Sequence, residues 1–301
     1  MKKSIVFIYL LVSSIGFAQQ DPMASMYFFN PLQFNAGYAG SRESFNVTSV
    51  TRKQWVGFEG APTTQFVSIH TPIARKRIGI GATINYDKIG SRSAFNASAN
   101  FAYHMQLNKN NLKLSFGASA GLFQNQYNFN DLSVVDPTDP NISNSYSSIT
   151  PNFGFGLYLY NKRFYAGLSS PHLLKKSIDN NTGNSFTQQH LFLAVGYVHP
   201  LNSVIDLKPS VLVRYTSNTP ITADINVSAF FYKKFWTGVM YRMNESVGVN
   251  VGIQLVPSLM LGYSYDFPVN QLIMNQWGSH EFALIFDFKN SKSTFISPRY
   301  F

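Results

Sequence analysis

Cysteine is absent from the 301 residues, so no disulfide staples the chain and a small cross-linked secreted scaffold is excluded. Charge is scarce as well. Asp, Glu, Lys and Arg together make up 13% of the chain, about half of the roughly 25% that a soluble globular domain carries. Long hydrophobic runs are also missing: after residue 18 no apolar stretch approaches the roughly 20 residues a membrane helix needs. Aromatic side chains, by contrast, reach 16%. A chain so sparingly charged and so aromatic, with no hydrophobic helix, suits a closed β-barrel in lipid. There alternate residues face hydrocarbon and every backbone group pairs between strands.

The first residues indicate export. Lys2 and Lys3 are followed by an apolar stretch from Ile5 to Ile15 and by the small-residue end Gly16-Phe17-Ala18, the layout of a signal peptide cleaved after Ala18. Residues 1–18 are therefore expected to be removed, residues 19–42 to form an irregular N-terminal segment, and residues 43–301 to form the barrel. Without Lys2 and Lys3 the formal net charge of +10 falls to about +8. A basic balance raises the question of nucleic acid, but export argues against it, and along the sequence the cations read as scattered rather than gathered into a stripe.

From residue 45 to residue 288 the dominant period is two. Ile78, Ile80, Ala82, Ile84 and Tyr86 share one face, with Gly79, Gly81, Thr83 and Asn85 on the other. Phe153, Phe155, Leu157 and Leu159 alternate with Asn152, Gly154 and Gly156 in the same way. About fourteen such segments, each near the 9–11 residues of a membrane strand, predict an all-β, antiparallel up-and-down transmembrane barrel. Short connections at 161–162, 200–204 and 233–234 fit periplasmic turns, and the longer ones near 125–149, 171–189 and 268–278 fit outer loops. Aromatics near strand ends, including Tyr158, Tyr160, Tyr165, Trp236 and Tyr263, read as interfacial girdles. The segment before the first strand lacks period two, and composition leaves open whether it fills the lumen or hangs in the periplasm.

Two motifs add to this reading. Residues 27–41 run YFFNPLQFNAGYAGS and residues 52–65 run RKQWVGFEGAPTTQ. Together they resemble the opening of the PorP/SprF family of Bacteroidota, with Ala36 standing where that family often has proline. The resemblance implies an outer-membrane barrel of the type IX secretion system that helps export cargo proteins, gliding adhesins among them, or hold them at the cell surface. Its partners would be the cargo or the cargo's C-terminal domain, together with other secretion components. The residues it singles out as a partner or structural motif are Asn30, Pro31, Asn35, Tyr38, Gly40, Arg52, Gln54, Trp55, Gly57, Phe58, Gly60 and Pro62. Chemically they have plain roles available. Gly37, Gly40, Gly57 and Gly60 suit positive-φ turns, Pro31 and Pro62 fix φ, and Trp55 and Phe58 suit a loop anchor at the membrane rim. Arg52 and Gln54 suit the lumen, where they would hold the N-terminal segment.

Enzyme chemistry finds little support. The six histidines, His70 to His280, stand in no nucleophile or zinc motif. Asp136, Asp139 and Asn141 depart from the spacing of a calcium loop. The expectation is a non-enzymatic barrel without metal or cofactor, acting as a secretion accessory. The alternative is a passive or FadL-like uptake channel.

Overall fold

The period-two segments become long strands that close on themselves. The computed structural model describes residues 22–42, 44–73, 77–107, 111–128, 145–174, 176–177, 186–187, 189–217, 219–269 and 277–288. The expected signal peptide, the acidic residues Asp136 and Asp139 with Asn141, and the last thirteen residues lie outside these.

Fourteen strands build the wall: β1 (Phe45–Lys53), β2 (Thr63–Ile73), β3 (Ile78–Ile89), β4 (Arg92–Gln106), β5 (Lys113–Tyr127), β6 (Tyr146–Tyr160), β7 (Phe164–Ser170), β8 (His190–Tyr197), β9 (Ile205–Thr216), β10 (Thr222–Phe231), β11 (Phe235–Arg242), β12 (Ser246–Val256), β13 (Leu259–Pro268) and β14 (Ser279–Phe288). Each pairs antiparallel with its sequence neighbours. The ring closes between first and last, from Phe45 opposite Phe288 to Lys53 opposite His280. Closure leaves no sheet edge along the shared height of the strands, as backbone amides in hydrocarbon require.

Burial follows the pleat. β8 alternates buried and exposed at every residue, with Leu191, Leu193, Val195 and Tyr197 outward and Phe192 and Ala194 inward. Connections at the Phe45 and Phe288 end are short and most of those at the other end are longer, which places the former in the periplasm and the latter outside the cell. β5 and β6 are longer than the segments expected from the sequence, reaching Tyr127 and starting at Tyr146, so the connection between them is correspondingly shorter.

The core lies inside the lumen. Residues 22–42 run from the outer third of the barrel down to its periplasmic end through three 3-10 turns, Tyr27–Phe29, Pro31–Gln33 and Ala36–Tyr38. Met26, Tyr27, Phe28, Phe29, Leu32 and Phe34 are buried there with the wall residues Val50, Phe66, Phe192, Leu212, Trp236 and Ile285. Each such side chain is worth about 1.5–3 kcal/mol over remaining exposed. Tyr158, Tyr165 and Trp236, expected in the girdles, belong to this core instead. Trp236 packs its ring on Phe29 at 4.8 Å, and Tyr158 meets Tyr38 edge-on at 5.4 Å. Strand-end position is shared by both environments, and only the parity of the residue decides between them.

Candidate functional site

The motif residues divide into two groups joined by Arg52. Asn30, Pro31, Asn35, Tyr38 and Gly40 lie on the segment inside the lumen. Gln54, Trp55, Gly57, Phe58, Gly60 and Pro62 form the outer connection between β1 and β2. Arg52, next to last in β1 and about 1% exposed, reaches from the wall to the inner segment.

At the outer end Arg52 Nη1 donates to Asp266 Oδ2 at 2.6 Å, to Glu281 Oε2 at 3.2 Å and to Ser25 Oγ at 2.5 Å. Ser25 Oγ in turn donates to Asp266. Glu281 accepts the backbone N–H groups of Ser25 at 2.6 Å and Met26 at 2.7 Å, just before the first 3-10 turn, where those donors have no partner of their own. The ionic layer continues around the wall. Asp224 accepts from Arg214 at 2.9 Å and from Arg242 at 3.1 Å. Charges with so little exposure persist only when paired and hydrogen-bonded.

The middle of the segment meets the wall through side chains. Tyr27 and Ser210 share a hydrogen bond of 3.2 Å, and Ser68 donates to Asn30 Oδ1 at 2.6 Å. Asn35 caps the third turn by accepting from Gly37 N at 2.9 Å while donating to Leu157 O at 3.0 Å. Further down, Gly40 N donates to His70 Nδ1 at 3.1 Å. His104 Nε2 bonds Ala39 O at 2.8 Å and its Nδ1 bonds Tyr160 OH at 3.1 Å. One tautomer satisfies both contacts: Nε2 donates and Nδ1 accepts. Arg42 donates to Tyr38 OH and to Asp287, both at 2.9 Å. Burial opposes the Arg42 charge, and Asp287, Tyr38 and Tyr158 around it together more than offset that cost, holding the guanidinium above its ordinary pKa.

Glycines on the lumen face supply the room for this segment. A Cβ on Gly79 would stand 1.9 Å from Ala39 O, one on Gly117 2.1 Å from Gly37 N, and one on Gly156 2.0 Å from Asn35 Oδ1. Gly40, Gly57 and Gly60 have positive φ, whereas Gly37 does not. Gly37 is needed for space, with Gly156 O and the Tyr158 Cβ within 3.2 Å of where its own Cβ would be. One hollow among the described residues, between Gln33, Phe34 and the polar wall residues Asn100, Ser119 and Asn152, has a volume of about 10 Å³, room for about one water.

The outer rim is tightly bonded. Trp55, itself at φ 48°, donates its N–H to Ser279 Oγ at 3.2 Å. Val56 continues the β1–β14 pairing above the barrel: Val56 N donates to Gly278 O at 2.9 Å and Trp277 N donates to Val56 O at 2.8 Å. Gln54 N donates to Pro62 O at 2.9 Å, closing the loop. Gly57 lies under the Trp277 ring, 2.6 Å from where a Cβ would be. Phe58 is 50% exposed and Trp277 78%. Asp224, Asp266, Glu281 and Trp277 escaped the sequence reading. For the three acids a signal exists: carboxylates on the lumen parity of strands in a charge-poor chain.

Among solved structures the barrel is similar to the outer membrane protein Omp33 of Acinetobacter baumannii, at 8% identity and a TM-score of 0.50 over 82% of this chain and 98% of that one. It is also similar to the CymD monoaromatic hydrocarbon channel, at 12% identity and a TM-score of 0.52 over 89% and 94%. At such identities the likeness is one of fold, that of outer-membrane barrels. No curated protein matches the chain. The model of the type IX secretion system membrane protein family PorP/SprF matches residues 16–286, and the chain belongs to that family.

Proposed function

We propose that this protein is a non-enzymatic outer-membrane component of type IX secretion that assists the export or surface attachment of cargo proteins such as gliding adhesins, acting through its two ends rather than through an open pore. The observation that carries this reading is the filling of the lumen by residues 22–42. Their side chains pack against the wall residues Val50, Phe66, Phe192, Leu212, Trp236 and Ile285, which obstructs the way through for a solute, so what the barrel offers a partner is surface. At the outer end that surface is the bonded loop with exposed Phe58 and Trp277, since preorganised aromatics make strong protein contacts. A cargo protein's C-terminal domain is the partner this assigns to the rim, and the motif residues from Gln54 to Pro62 hold the rim in shape.

The test is genetic and biochemical. Deleting the gene is expected to remove a defined subset of proteins from the cell surface, and F58A/W277A is expected to reproduce that loss while the barrel stays in the membrane. An unchanged surface proteome after deletion would refute the reading. The uptake-channel alternative has the fold likeness to CymD in its favour. Liposome swelling separates the two, because ready solute flux through the intact protein belongs to a channel.

A further inference from the structure

The cations that read as scattered along the sequence are gathered in space. The six short connections at the periplasmic end, residues 74–77, 107–112, 161–163, 198–204, 232–234 and 257–258, contain Lys and Arg but not one Asp or Glu. The connections at the opposite end carry Glu59, Asp131, Asp136, Asp139, Asp179 and Glu245 against Lys175 and Lys176. The basic balance of the whole chain is therefore a property of one end.

Where these turns are described, two are closed by hydrogen bonds and their cations are exposed. Lys234 N donates to Phe231 O at 2.9 Å across a turn in which Tyr232 and Lys233 have φ of 53° and 55°, the left-handed pair of a type I′ hairpin. Asn161 N donates to Phe164 O at 2.9 Å, while Asn161 Oδ1 accepts from Arg163 N and Phe164 N at 2.8 and 2.9 Å. Arg77, Lys162, Arg163, Lys233 and Lys234 are all exposed. Among the described residues Arg77, Arg163, Lys233 and Lys234 form no ion pair. Four exposed like charges with no ion pair of their own among the described residues attract anions.

We propose that this periplasmic rim is the docking surface for an acidic face of a periplasmic protein. The inference rests on the secretion reading and adds to it the place and chemistry of the contact. Two features favour a protein over lipid headgroups. The cations stand at the tips of the turns, past the last lipid-facing residues, whereas headgroups flank the sides of a barrel. They also surround a floor closed by the inner segment, with Arg42 and Asp287 bonded across it, so a folded partner meets a continuous surface. Tyr232, 73% exposed beside Lys233, adds an aromatic of the kind that dominates protein hot spots.

The full chain in phosphatidylcholine nanodiscs provides the test, with a fluorescent twenty-residue polyglutamate as the acidic probe. Binding that weakens steeply with salt is expected, with a loss of about tenfold or more in R163E/K233E/K234E and little loss in R163K/K233R/K234R. Equal binding by the charge-reversed variant would overturn the proposal. So would an absence of probe binding together with capture of phosphatidylglycerol vesicles, which would make the rim a lipid contact. In a deletion strain, the charge-reversed variant is expected to reach the outer membrane in normal amounts yet leave surface cargo missing, and the conservative variant to restore it. Full restoration by the charge-reversed variant would sink the docking proposal while the secretion reading stands. A deletion strain with an intact surface proteome would sink the secretion reading itself.

Discussion

Gly117 marks the point where the barrel wall touches its own contents. A single methyl there would overlap Gly37 N, and because this contact is backbone on backbone, rotamer changes cannot relieve it. Gly117→Leu is expected to push the third 3-10 turn out of place while the strand pairing survives, read as frequent channel openings in planar bilayers where the parent protein is quiet. Glu281 makes a different kind of contact, taking two backbone N–H groups and one guanidinium. Glu281→Ala strands both backbone donors and leaves Arg52 with Asp266 and Ser25, at a cost of about 1–3 kcal/mol for each stranded donor, visible as a lower urea midpoint for the detergent-solubilised protein. Pairing it with Arg52→Met is expected to cost less than the sum of the single changes, as members of one network do. In sequence, Gly79 and Gly156 were legible as lumen residues from their parity. That they form a bed for another backbone was not, because the contact is between segments far apart in the chain and leaves no local pattern.

At the scale of the strand, parity carried nearly everything. The alternation of Ile80, Ile84 and Tyr86 with Gly79 and Thr83 predicted faces that burial reproduces, because lipid and lumen impose opposite demands every second residue. Strand length was less legible. β6 continues outward to Tyr146, whereas β7 stops at Ser170 and pairs only with residues 155–160 of β6. Polar residues such as Ser147 and Ser148 look like loop in sequence, yet above the membrane a strand has no need of apolar alternation. Leu173 N donates to Phe153 O, which fixes the orientation of the β6 backbone: Ser147 and Ile149 point their N–H groups away from β5, and Pro151, which has none, shares that side. Proline is tolerated there because, among the described residues, no strand pairs with that side. Hydrogen exchange of the reconstituted protein is expected to be fast at the amides of Ser147 and Ile149 and slow at those of Ser148 and Thr150, which face β5. Equal protection at all four would mean that another segment covers the edge.

Seen whole, the molecule is a tube stoppered by its own N-terminal segment and held at two levels, with an ionic layer at its outer end and, at its inner one, the Arg42–Asp287 pair inside a rim of exposed cations. Composition showed the net charge but not its polarity, since a strand-and-turn chain alternates between the two sides of the membrane and mixes their residues along the sequence. The stopper was equally hidden. Tyr27 to Tyr38 is as aromatic as any strand, and only the closed ring decides that these side chains are buried within it rather than against lipid. If residues 22–42 alone block the tube, joining residue 21 to residue 44 removes the block and leaves Arg52, Asp266 and Glu281 facing water, where charges keep their solvation and need no partner. The shortened protein is therefore expected to retain its strand content by circular dichroism and to melt at lower temperature, having lost the apolar contacts of Phe28, Phe29 and Phe34. It is also expected to admit small solutes in liposome swelling, with the charged outer layer favouring neither ionic sign strongly because Arg52, Arg214 and Arg242 stand against Asp224, Asp266 and Glu281. A shortened barrel that still excluded solutes would place the barrier in the outer connections instead of the inner segment.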